Sequence, residues 1–328
     1  MPSNPSDVLI VGAGVSGLTT GFRLARQGLR VRIRAEDAPG STNSAAAGAI
    51  WDPIYAEHPR VGVWAARSYK VFSRMTERGF PGVRLVDGIE ASRDPMETPE
   101  WARLLPGYRE CELRELPPGF EHGWHYRAPI IDMPPYLARL EQLVREAGGD
   151  FEFGVHLSSL ADADAPIVVN CSGAGAHDLV PDPEVTPIRG QLVQIRNHGV
   201  TDFFAEHTPE LGEMVYLLPQ GDTILLGGSA EPGIADPEPD PAVAAAIIER
   251  CISIFPWIEQ AEVVGHRGGI RPSRPKIRLE HEEADGRHVV HNYGHSGAGV
   301  SLSWGCADDV TDLVLGLLGR ERKEDGAE

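Results

Sequence analysis

Residues 7–28, DVLIVGAGVSGLTTGFRLARQG, constrain this chain more than any other stretch. Asp7 leads into Val8-Leu9-Ile10-Val11, a short apolar run with the character of a buried strand. Gly12-Ala13-Gly14-Val15-Ser16-Gly17 follows at once with the spacing G-x-G-x-x-G. Over residues 16–27, Leu18, Phe22, Leu24 and Ala25 recur at helical intervals, and Arg23 and Arg26 fall on the outward side. Val31-Arg32-Ile33-Arg34 then predicts a second strand, running out at Glu36-Asp37. In this order, Gly12 permits a tight turn, Gly14 lets backbone approach a pyrophosphate, and Gly17 lets helix and strand pack closely. The helix start offers free N–H groups and the positive end of the helix dipole to phosphates. An acid about 20 residues beyond the glycines can bind an adenosine ribose hydroxyl. Strand, glycine turn, helix and second strand together point to a bound dinucleotide, without deciding which.

A chain of 328 residues can bury a full core and suits one large or two medium domains. Its net charge of -18 disfavours nucleic acid and anionic membrane as partners, since both need clustered cations. Cys111, Cys171, Cys251 and Cys306 are widely spaced, with no C-x-x-C, so reduced core thiols are expected. No apolar run reaches about 18 residues and no charged leader with an apolar segment opens the chain. A cytoplasmic protein is the expectation.

Further along, residues 39–53 (PGSTNSAAAGAIWDP) are small enough to pack against something flat, or are an ordinary Ala/Gly-rich loop. Helices are predicted over 60–79, after Asp132, over 240–254 and over 300–319. Strands are expected at 83–86, 129–131, 151–153, 155–157, 166–171, 191–195, 214–218, 223–228 and 287–293. Pro219-Gln220-Gly221-Asp222 reads as a hairpin connection. Gly294-His295-Ser296-Gly297-Ala298-Gly299 is a second glycine-rich turn near the far end, so the nucleotide-binding domain is expected to be discontinuous. The division expected is 1–78, 132–186 and 265–328 for that domain, and 79–131 and 187–264 for a substrate domain on a largely antiparallel sheet. The fold class is α/β, Rossmann-type, plus α+β.

Chemistry has few candidates. In GGIRPSRPKIR, residues 268–278, prolines follow Arg271 and Arg274 and stiffen the backbone that carries them. A held arginine suits a bidentate carboxylate clamp, and equally a structural ion pair. Tyr216, between apolar neighbours, reads first as a core tyrosine. His291 and His295 lack metal-type spacing, so no metal is expected, and neither G-x-S-x-G nor a paired nucleophile supports covalent catalysis.

These segments resemble the D-amino-acid oxidase family of flavoproteins. The matching stretches are VLIVGAGVSGLTT, STNSAAAGAIWDP, IVVNCSGAGA, PIRGQL, VYLLPQGDTILLGGS, GGIRPSRPKIRLE and HNYGHSGAGVSLSWGCA, in the family's order. The resemblance implies non-covalent FAD. Gly12, Ala13, Gly14, Val15, Ser16 and Gly17 would face the pyrophosphate, and Glu36 and Asp37 the adenosine end, although family members often carry arginine where Asp37 stands. Thr42, Asn43, Ser44, Gly48, Ala49 and Ile50 match the loop along the flavin, Ser172 a contact after another strand, and Leu157 an adenine-side contact. Ser296, Gly297, Ala298, Gly299, Val300 and Ser301 match the turn beside the isoalloxazine.

For substrate, the resemblance assigns Arg271 and Tyr216 to the carboxylate and the Gly297 carbonyl to the amine. It implies oxidative deamination of D-amino acids, neutral ones first and basic ones left open, by hydride transfer from Cα to flavin N5, with molecular oxygen as second substrate. D-aspartate oxidase, a glycine/sarcosine-type amine oxidase and a non-catalytic flavoprotein are the alternatives, and a homodimer is left open. D-aspartate oxidases of the family carry an arginine just after the Gly-Gly matched by Gly227-Gly228, where this chain has Ser229-Ala230-Glu231. Gly212 stands where the family usually has a lid tyrosine, so a shorter or differently built lid is expected.

Overall fold

The structure, a computed structural model, describes residues 6–208, 213–284 and 286–323. Its first sheet has six strands in the order Arg278–Ala284, Arg287–Tyr293, Ile167–Asn170, Val8–Val11, Val31–Ala35 and Asp150–Phe153. All neighbours are parallel except the edge strand Arg278–Ala284. Val8–Val11 lies inside the sheet and is buried throughout, as an apolar run covered on both faces must be. Val8 and Ile10 join the main core, and Leu9 and Val11 a smaller cluster with Leu160, Val168 and Leu179.

The helix Val15–Arg26 packs against the closing helix Gly299–Leu317, with Thr19 Oγ1 donating to the Ser303 carbonyl at 3.3 Å and Arg23 pairing with Asp308 at 3.1 Å. The helix Val61–Glu77 lies on the same closing helix. A Cβ on Gly305 would stand 2.3 Å from Trp64 Cα, so glycine there sets the approach of the two backbones.

The second sheet has nine strands, antiparallel apart from the pairing of Val83–Ser92 with Phe203–Glu206. Its outer face buries Val193, Leu217, Ile224 and Leu226 under the helix Pro241–Ile254. Its inner face, carrying Tyr126, Leu192, Phe203 and Leu218, belongs to the core shared with the first sheet's helices.

The structure departs from the sequence expectations in three places. Residues 155–157 form no strand, because Gly154 turns the chain at φ +74° and only the Gly154 and Val155 N–H groups bond back, to Glu36 and Ala35. The hairpin connection shrinks to Gly221-Asp222, since Pro219 and Gln220 remain paired in the strand Tyr216–Gln220. The motif read around Arg271 is the end of a long strand, Val263–Ser273, paired with Thr186–Arg196. Residues 265–273 therefore hydrogen-bond into the second sheet, although the sequence division groups them with the first. Gly212, on which the lid expectation rests, lies outside the described residues.

Candidate active site

The glycine turn is built for backbone approach. Gly12 sits at φ +104°, and a Cβ there would stand 2.4 Å from the Cys171 carbonyl oxygen and 3.3 Å from Ser172 Cα. A Cβ on Gly17 would stand 1.9 Å from the Gly12 oxygen, so only glycine lets the helix start against this turn. The helix Val15–Arg26 has no side-chain cap at Gly14 and no acid in its first turn, which leaves its N-terminal dipole open to an anion. The Val15 N–H donates to Ser44 Oγ at 3.0 Å, bringing Ser44 to the same spot. The Ser172 N–H and hydroxyl both bond Asn170 Oδ1, at 3.1 and 2.6 Å. Glu36 lies at the far end with its Oε2 3.2 Å from His156 Nδ1, which puts the 155–157 loop and Leu157 beside it; Asp37 is exposed.

The loop 42–50 runs from this turn to the second sheet. Thr42 Oγ1 donates to the Pro39 carbonyl, and Asn43 Oδ1 accepts the Ile270 N–H at 2.8 Å, next to Arg271. The Ala49 carbonyl accepts the Ile131 N–H at 2.8 Å, and Ile50 bridges to Ile130. Ser301 Oγ accepts the Asp52 N–H at 3.0 Å, so this loop is also fixed to the start of the closing helix. That helix likewise lacks a side-chain cap and a first-turn acid, and Ala298, Gly299 and Val300 lead into it. Ser296, at φ +51°, donates its N–H to the Pro272 carbonyl at 3.1 Å, which brings the second glycine turn against the strand that carries Arg271.

Arg271 folds over a glycine of the neighbouring strand. A Cβ on Gly190 would stand 2.4 Å from its Nη1, and Nη1 donates to the Ser229 carbonyl at 3.0 Å. Tyr216 lies over another pair, and a Cβ on Gly227 would be 1.9 Å from its Cζ and one on Gly228 2.6 Å from its hydroxyl oxygen. A Cβ on Gly48 would be 3.5 Å from the Tyr216 ring. Burial pushes the Tyr216 hydroxyl up, and Arg271 beside it pulls back. Arg274 is otherwise engaged, with Asp182 at 3.0 Å, Glu184 and the Lys276 carbonyl. Of the two arginines, Arg271 alone keeps company with Tyr216 and the 42–50 loop.

Two side chains that the sequence did not single out stand in the same space. Tyr55, at φ +64°, faces Gly297, where a Cβ would be 3.5 Å from its Cδ2, and its hydroxyl donates to Met214 Sδ at 3.0 Å. Asp52, three residues earlier, is held well above the usual carboxylate range, first by burial and then by the charge of Glu90. Neither carries a sequence signal, since a tyrosine in left-handed backbone and a lone acid look like loop residues. Among the described residues, no group of three or more His, Cys, Asp or Glu side chains is placed to hold a metal ion, and no helix is long and apolar enough to cross a membrane.

The profile of a family described as DAO, FAD-dependent oxidoreductase, matches residues 7–313. A D-amino-acid oxidase of Rubrobacter xylanophilus is 43% identical over 312 residues, covering 93% of this chain and 95% of that protein. A D-amino-acid oxidase of Streptomyces coelicolor is also 43% identical, over 94% of this chain and 96% of its own. Among solved structures, the glycine oxidase of Geobacillus kaustophilus superposes with a TM-score of 0.79 at 23% identity, covering 98% and 96% of the two chains, which is a likeness of fold. The glycine turn, closed to any Cβ and open to an anion, fits the pyrophosphate of the cofactor such a family requires. With that fit, and with the profile and both bacterial relatives spanning nearly the whole sequence, this chain belongs to the DAO family of FAD-dependent oxidoreductases.

Proposed function

We propose that this protein oxidises D-amino acids, converting them with oxygen and water into 2-oxo acids, ammonia and hydrogen peroxide. The observation that carries the reading is the Arg271–Tyr216 pair, held over Gly190 and Gly227 where the 42–50 loop meets the second sheet. In this reading the Arg271 guanidinium takes the substrate carboxylate in a charge-assisted pair, and the Tyr216 hydroxyl donates to the same group. The Gly297 carbonyl accepts a hydrogen bond from the amine. With carboxylate and amine fixed, the Cα–H has one direction left, and that orientation is the protein's main contribution. FAD held at the glycine turn would supply the redox chemistry, the two-electron oxidation at Cα and the reduction of oxygen. An amine that binds neutral needs no general base. Tyr55, beside Gly297, narrows the space above the amine.

D-aspartate oxidase is the second reading, and Ser229-Ala230-Glu231 argues against it by placing no cation there. Arg189 lies close by, but Glu231 engages it at 2.7 and 2.8 Å. Cytoplasmic location accords with the composition, and the net charge of -18 argues against nucleic acid as a partner.

Replacing Arg271 by alanine tests the reading. Losing a buried, charge-assisted contact costs about 3 kcal/mol, so kcat/KM for the best D-amino acid should fall about 100-fold through KM, with flavin still bound. Loss of the flavin instead would make Arg271 structural and remove the basis of the proposal.

A further inference from the structure

The inner face of the second sheet carries a row of residues paired across four strands: Gly227, Tyr216, Ala205 and Glu90. Residues opposite one another on neighbouring strands project to the same face, so Glu90 and Tyr216 look into the same space. They are two strand spacings apart, about 10 Å. Ala205 between them is too small to close the gap.

Glu90 is 1% exposed and held from two sides, by the Tyr126 hydroxyl donating to Oε2 at 2.8 Å and by His207 Nδ1 at Oε1. Burial lowers the His207 ring, but Glu90 outweighs burial and holds it above the usual range. His207 thus faces two acids, Glu90 and Asp52, and offsets at most one of their charges. Asp52 enters from the other side. Its segment runs against the strand His122–Ile131, with Ile50 bridged to Ile130 and the Trp51 N–H bonded to the Pro129 carbonyl, so the chain advances towards Tyr126. One Asp52 oxygen accepts the Ile54 N–H at 3.2 Å, and among the described residues no lysine or arginine pairs with it. Asp52 and Glu90 act on one another, and both act on Tyr55, as does Arg271. The space beside Tyr55 thus has Arg271 on one side and, on the other, two acids that share a single histidine.

We propose that Asp52, backed by the Glu90–His207 pair, forms the far end of the side-chain pocket and selects D-amino acids with a long cationic side chain. The inference rests on the substrate orientation proposed above. With the carboxylate on Arg271 and the amine at Gly297, the side chain leaves along the Tyr216–Ala205–Glu90 row. A guanidinium or ammonium arriving there relieves the repulsion between Asp52 and Glu90, whereas a carboxylate would add to it. The acid noted in the sequence after Gly228 cannot play this part, because Glu231 is already paired with Arg189.

The test compares kcat/KM for D-arginine, D-norleucine and D-glutamate in the FAD-loaded enzyme, as wild type, Asp52→Asn and Asp52→Glu. Wild type should use D-arginine at least as well as D-norleucine, and D-glutamate at least 100-fold less well. The ratio of D-arginine to D-norleucine should fall at least tenfold in Asp52→Asn and return in Asp52→Glu. A wild type that prefers D-norleucine more than tenfold overturns the proposal, even if Asp52→Asn does not fold. An unchanged ratio in a yellow Asp52→Asn protein overturns it as well. Failure of every D-amino acid to reduce the flavin would overturn the oxidase reading itself, and is distinguishable from both.

Discussion

The Arg271 guanidinium lies directly over Gly190, and a Cβ on that glycine would stand 2.4 Å from Nη1, 2.5 Å from Cζ and 2.6 Å from Nη2. Backbone pairing sets this contact, since Ile188 is opposite Arg271 and Gly190 opposite Gly269. Gly190→Ala should push the guanidinium off its seat without touching any charge. The expected outcome is a KM raised tenfold or more, with kcat affected less and full FAD content, read by steady-state kinetics and flavin absorbance. An unchanged KM would mean that Arg271 needs no fixed seat.

Cofactor binding is tested at the opposite end. At Gly17 a Cβ would meet backbone, the Gly12 oxygen at 1.9 Å, which cannot move aside as a flexible side chain could. Gly17→Ala should give protein without FAD, whereas Gly316→Ala, with nothing within 4 Å of the added methyl, should stay yellow. Flavin-to-protein absorbance ratios decide between them.

The link between the two ends is Asn43, whose Oδ1 accepts the Ile270 N–H at 2.8 Å. Asn43→Ala strands that N–H, which costs about 1–3 kcal/mol, and frees the backbone next to Arg271. Both Tm and the affinity for substrate should drop. Asn43→Asp keeps the acceptor oxygen and should recover most of the affinity.

His295 gives the protein a pH dependence. The ring is 3% exposed, its Nε2 has no partner among the described residues, and burial lowers its pKa from 6.5 to about 4. As pH falls, the unfolded chain takes up this proton before the folded one does. The residue's contribution is intact above about 6.5 and is lost progressively towards 4, amounting to about 2 kcal/mol by pH 5. Against wild type, His295→Leu should lose less Tm between pH 7 and pH 5. Parallel Tm profiles would contradict the assignment.

How much of this was legible depended on how local the signal was. The turn from Gly12 to Gly17 could be read because strand, turn and helix are consecutive and each glycine has a steric reason. The choice between Arg271 and Arg274 came from the family resemblance and not from local pattern, because Asp182 and Glu184 engage Arg274 from some 90 positions away. Tyr216 looked like a core residue because the glycines that make room for it, Gly48 and Gly227, lie on other elements. Asp52 comes within electrostatic reach of Glu90 through the pairing of Ile50 with Ile130, which no periodicity encodes. The strand Val263–Ser273 went unread because Gly268, Gly269 and Pro272 disguise it; at Gly268 a side chain would collide with the Pro237 carbonyl oxygen at 2.0 Å.

One carboxylate clamp, Arg271 with Tyr216, and one flavin site are proposed to act together on D-amino acids. Anaerobic titration of the purified protein tests it most directly. The expected outcome is a yellow protein whose flavin absorbance bleaches on adding D-methionine or D-arginine and recovers, with release of peroxide, when air is admitted, while the L-enantiomers leave it unchanged. Flavin that stays oxidised with every D-amino acid, or bleaches equally with the L-enantiomers, would contradict it.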